Sequence, residues 1–113
     1  MSNKPQILNL TLGKMAFAVM VTGEKKVEYR KKSKWIESRL RYENGVQKKY
    51  DFVKFTNGYG KNRPYFIAEY KGYNSCWRCA GTATYSNGLK VDIDYSDYVI
   101  YLGRIIEIGN IVQ

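Results

Sequence analysis

The second half of this chain carries no helical period. From residue 50 onward, short apolar or alternating segments are separated by turn residues, and no segment repeats at the helical spacing. Parallel strands need a long crossover between them, so this half is best satisfied by antiparallel neighbours. Strands are expected over residues 50–55, 65–73, 82–85, 89–93 and 98–108. Within 65–73, Phe66, Ala68 and Tyr70 share one face. Ser86-Asn87-Gly88 is a hairpin signal. Gly103 interrupts the last run, where glycine suggests a bend or bulge of the kind a barrel corner needs.

The first half is mixed. Leu8, Leu10 and Leu12 alternate with polar residues and predict a strand over 6–12. Residues 15–21 are continuously apolar and stop at Thr22-Gly23, which predicts one short buried helix begun near Gly13 and ended by Gly23. Residues 25–30 read as a strand, with Val27 and Tyr29 on one face and Lys26, Glu28 and Arg30 on the other. Ser33 is placed to cap a second helix bearing Trp35, Ile36 and Leu40, and Glu43-Asn44-Gly45 makes a turn. Together these elements predict a single α+β domain over residues 1–113, mostly β: a barrel with two helices on its flank, near the N-terminus. At 113 residues the chain can close one modest core.

Charge narrows the partners. The net charge is +9, and residues 24–63 alone hold thirteen basic and five acidic side chains. A positive field concentrated in one stretch favours polyanions such as RNA, DNA or free nucleotides, although a solvated basic surface has the same composition. Eleven tyrosines supply rings suited to half-buried strands and to stacking. There is no histidine, so the commonest base near neutral pH and the commonest metal ligand are both missing. Cys76 and Cys79 form a lone Cys-Trp-Arg-Cys without the further ligands a zinc site needs, and outside the βαβ setting of a redox motif. They read as reduced thiols in or beside a strand; no metal or other cofactor is expected. Ser-Asn-Lys-Pro after Met1 is not an apolar leader, and the run 15–21 is too short to cross a bilayer. A cytoplasmic protein that does not enter membranes is expected.

The candidate binding residues fall into two groups. Lys25 follows the helix-ending glycine and is expected to lean over a pocket from the turn. Glu28 and Arg30 share a strand face, where Arg30 offers a rigid fork of donors to phosphate or carboxylate, and Glu28 orients Arg30 or Lys25 or accepts from a base amino group. Alone, these three read more readily as a surface ion-pair ladder of small worth than as a site. The second group is the Gly- and Asn-rich loop over 56–64, where Asn57, Tyr59, Lys61 and Arg63 suit a base and its phosphates, although an ordinary solvated hairpin loop has the same chemistry. Trp35 is a further stacking candidate, although on an amphipathic helix such a ring is more often core.

Gly23-Glu24-Lys25-Lys26-Val27-Glu28-Tyr29-Arg30 resembles the Gly-x-Lys-x-x-Glu-x-Arg signature of the ASCH superfamily. The preceding apolar helix is similar too. So are the basic-aromatic segment from Lys34 to Leu40, the run 55–59 followed by Pro64, and the closing run 98–108, as in a bacterial and phage branch. The resemblance covers most of the chain. It implies a PUA-like barrel with a cleft for RNA or a modified nucleotide, lined by Lys25, Lys26, Glu28 and Arg30. One branch hydrolyses acetylated cytidine with a Lys and a Thr three positions apart. Lys25 matches that Lys, but Glu28 stands where the hydroxyl would be. Another branch is reported to cleave RNA. Three functions therefore stay open: a binding module for RNA or a nucleotide, a small hydrolase of RNA or N-acylated cytidine using Lys25 as base with Glu28, and a protein that binds an acidic protein partner.

Overall fold

The computed structural model describes residues 4–111. The first three residues, part of the stretch read for a leader, lie outside it. The elements in chain order are β1 (Ile7–Leu12), α1 (Lys14–Val21), β2 (Val27–Arg30), α2 (Lys34–Leu40), β3 (Phe52–Asn57), β4 (Tyr65–Ser75), β5 (Gly81–Thr84), β6 (Lys90–Ile93) and β7 (Tyr98–Gly109). Five strands form one sheet in the order β1-β3-β4-β7-β2. Only the β1–β3 pair is parallel, its crossover supplied by α1, β2 and α2; the other pairs are antiparallel. The architecture is α+β and mostly strand, with the sheet curled into a half-barrel rather than closed as a barrel. Among the described residues no helix is long and apolar enough to cross a membrane.

The alternation of β1 aims Leu8, Leu10 and Leu12 inward, against Val53, Phe55, Phe66, Ala68 and Ile100 from β3, β4 and β7. Helix α1 adds Phe17 and Met20 to this core, and α2 adds Ile36 and Leu40. Burying each such Leu, Ile or Phe side chain contributes about 1.5–3 kcal/mol before conformational entropy is counted. A second, smaller core lies on the other face of β7, where Val99 meets Cys76 and Ile93, with Val27 and Tyr29 packed against them. The β5–β6 hairpin supplies its Ala83 and Val91.

Local chemistry explains the helix ends. Gly23 has φ of 86°, the left-handed position that ends a helix, and its N–H donates to Met20 O at 3.0 Å. The Lys25 N–H then takes Val19 O at 2.9 Å, which extends the cap and delays β2 to Val27, two residues later than the sequence suggested. Ser33 Oγ accepts the Ile36 N–H at 3.1 Å, the expected N-cap of α2. The β4–β7 ladder slips between Ala68 and Tyr70, opposite the stretch from Leu102 to Ile105 that contains Gly103. There the Arg104 N–H leaves the ladder and donates to Glu69 Oε1 at 2.8 Å, so the sheet bends where the glycine predicted.

Candidate functional site

The two edge strands of the half-barrel, β1 and β2, face each other without a backbone ladder between them. Arg30, on β2, spans the gap: its Nη2 donates to Thr11 O at 2.6 Å, and Thr11 belongs to β1. Its Nε donates to Glu28 Oε2 at 2.9 Å. Glu28 Oε1 accepts from Lys25 Nζ at 3.0 Å, so one carboxylate holds two cations, one on each oxygen. Glu28 lies opposite Ile100 on the inner face of the sheet, which explains why it is buried.

Lys25 does not lean freely over a pocket as its turn position suggested. Its side chain is only 1% accessible. Nζ donates to Val27 O at 2.6 Å as well as to Glu28, and reaches Met20 Sδ at 3.6 Å. The rings of Tyr29 and Tyr85 stand 5.4 and 6.0 Å from it. Three acceptors around one nitrogen match the three hydrogens of an ammonium. The cluster is therefore a buried triad, not a solvated charge ladder.

A cavity of about 520 Å³ opens beside this triad. The end of β1 and the start of α1 supply Thr11, Leu12, Gly13 and Ala16. Lys25, Glu28, Tyr29, Arg30 and Lys31 come from β2 and its flanks, Ser33, Trp35 and Ile36 from α2, and Leu89 and Val91 from the hairpin. Arg30 Nη1 makes no hydrogen bond among the described residues and remains available to a ligand. Trp35, expected more often in the core, is 51% exposed at the rim, with the Arg39 guanidinium 5.2 Å from its ring. Lys31 is exposed and pairs with buried Asp97 at 3.1 Å. The size suits a single small organic ligand.

The loop was expected to form the other wall, and it does not. None of Asn57, Tyr59, Lys61 and Arg63 lines the cavity. Arg63 Nε folds back onto Asn57 O at 2.8 Å, while Tyr59 is 88% exposed. The loop touches the site region at its base, where the Gly58 N–H donates to Leu12 O at 3.0 Å. Lys26 does not line this cavity but a second one, which Lys25 also borders.

Sequence reading missed the wall that replaces the loop. The β5–β6 hairpin docks over the turn between α1 and β2: the Ser86 N–H donates to Glu24 Oε2 at 2.8 Å, and Asn87 Nδ2 to Met15 O at 3.0 Å. The Ser86 bonds hold the Glu24 carboxyl below its ordinary pKa. Burial raises the Tyr29 and Tyr85 hydroxyls above theirs, Tyr85 further because Glu28 is near. The hairpin was legible, but its docking joins residues 62 apart and leaves no local signal.

The cysteines stand outside this site. Cys76 is buried in the smaller core and Cys79 is exposed, both as free thiols; burial is the main cause that pushes the Cys76 thiol up to about 12. No family model, curated protein or solved structure matches the chain.

Proposed function

We propose that this chain is a PUA-like domain of the ASCH type that binds a nucleotide, free or within RNA, in the cavity between β1 and β2. The observation that carries the reading is the triad at the seam. Glu28 neutralises one of its two cations and orients Arg30, leaving a fixed guanidinium edge beside a nucleotide-sized space. Trp35 adds a ring at the rim on which a base can stack. The signature Gly23 to Arg30, with its capped helix before it and bent strand β7 after it, supports the family assignment.

Binding is favoured over hydrolysis. A general base needs a free lone pair within reach of substrate, and Lys25 Nζ faces three acceptors and is almost wholly buried. The test is a titration of wild type and Trp35→Ala with nucleoside monophosphates and a short single-stranded RNA at several salt concentrations. Trp35 is half exposed, so its loss spares the core. Affinity for RNA should fall roughly 10- to 100-fold in the variant, the range for one stacked base. Wild-type binding should weaken steeply with salt. Salt-independent binding, or equal affinity in the two proteins, would exclude this site.

A further inference from the structure

A second cavity, of about 430 Å³, shares only Lys25 with the first. It lies where the C-terminal end of α1 faces the bend in β7. Met20, Phe66, Leu102 and Ile105 give it apolar walls, and no carboxylate lines it. Two exposed cations, Lys26 and Arg104, also line it. Neither makes an ion pair among the described residues. Glu69, which feels the Arg104 charge without an ion pair to it, accepts the Arg104 backbone N–H at 2.8 Å and pairs with Lys71 at 4.0 Å.

Apolar walls with exposed, unpaired cations define a site for an amphipathic anion. We propose that this cavity binds a monocarboxylate with an unbranched apolar tail. The tail lies along half-buried Leu102 and Ile105, backed by buried Met20 and Phe66, and the carboxylate sits between Lys26 and Arg104. Lys25 is not the carboxylate's partner: its side chain is 1% accessible, and the Glu28 carboxylate already stands 3.0 Å from Nζ and would repel a second anion. A cationic head would meet Lys26 and Arg104 unfavourably, and a short acid without a tail would leave the walls wet. This site is separate from the nucleotide cavity and does not depend on that assignment.

The test is calorimetric titration of the wild-type protein with hexanoate, octanoate and decanoate below micelle-forming concentrations. Amide chemical shifts identify the contact. Saturable binding that strengthens with tail length, with shifts concentrated at residues 102–105, is expected. Octylammonium and acetate should bind far more weakly. The double variant Lys26→Glu/Arg104→Glu changes two exposed side chains and should keep the fold while losing about tenfold in octanoate affinity, the scale of two exposed charge contacts. Trp35→Ala should bind octanoate as wild type does. Several results would overturn the proposal: no saturable binding of any of the three acids, equal binding of octanoate and octylammonium, full affinity in the double variant, or shifts elsewhere. Binding to phosphatidylglycerol vesicles without binding of free octanoate would also overturn it, since that is attraction of a basic surface to a membrane.

Discussion

Replacing Glu28 by glutamine removes one charge and nearly no volume, and it isolates what the triad is worth. In the wild type, Lys25 is 1% accessible and Glu28 is 9% accessible, at 3.0 Å, while Arg30 at 2.9 Å is 23% accessible. The Glu28→Gln change would leave the Lys25 ammonium buried, with a neutral amide, a carbonyl and a thioether around it. Breaking a buried pair by removing one partner costs about 3–5 kcal/mol, because the remaining charge is uncompensated. Lys25 keeps its bond to Val27 O and Arg30 reaches solvent, so the lower end applies, about 3 kcal/mol. For a domain of this size that is a fall in Tm of roughly 12 °C. Lys25→Met removes the other charge; because Glu28 still holds Arg30, it should cost less. The double variant should cost less than the sum of the two, with a coupling of about 2 kcal/mol. Urea unfolding of the four proteins, followed by tryptophan fluorescence and circular dichroism, gives these values. A loss below about 1 kcal/mol for Glu28→Gln, the scale of a solvated pair, would show that the triad is not buried as described.

Other outcomes follow from the same structure. Ser33→Ala removes the acceptor for the Ile36 N–H and should cost about 1 kcal/mol in urea unfolding, with Ser33→Gly milder. Gly103→Ala would bring a Cβ to 2.7 Å from Glu69 Oε1 and from Lys71 Cε and 2.9 Å from Glu69 Cβ; the forced shift should lower stability by about 1–3 kcal/mol, read as a lower urea midpoint. Acid should loosen the fold in a defined direction. Glu24, Glu37, Glu69 and Asp94 are each held below their ordinary pKa, chiefly by hydrogen bonds from Ser86, Tyr98, Arg104 and Ser96. A lowered folded pKa stabilises fully above the unfolded value and is lost as pH falls through the folded one. Tm should therefore hold from neutrality to about pH 5 and decline below about pH 4; a Tm unchanged down to strongly acid pH would contradict these bonds.

The elements were legible because each has a local cause. Leu8, Leu10 and Leu12 alternate, Gly23 and Ser33 end and begin helices, and Gly103 marks the bend. What was not legible depends on curvature. Whether Glu28 points to solvent or to a core cannot be read from a four-residue strand; it depends on Ile100, far along the chain, lying opposite it. The loop's Tyr59, Lys61 and Arg63 have the composition of a binding wall, yet the sheet brings the Leu89–Val91 side of the hairpin to that place instead. Composition identified the chemistry of the triad but not its burial, and burial decides whether Lys25 serves as a base or as a support.

The Arg30 bridge also determines how the molecule can breathe. Separating β3 from β4 would break a run of ladder bonds along the strands at once. Separating β1 from β2 breaks one side-chain bond, from Arg30 to Thr11 O. Opening the half-barrel along this seam therefore breaks the fewest hydrogen bonds, and amides at the free edge of β2 should exchange with solvent sooner than those of β3 and β4. A ligand seated at the seam would act as a clasp, slowing that exchange without adding any strand to the sheet.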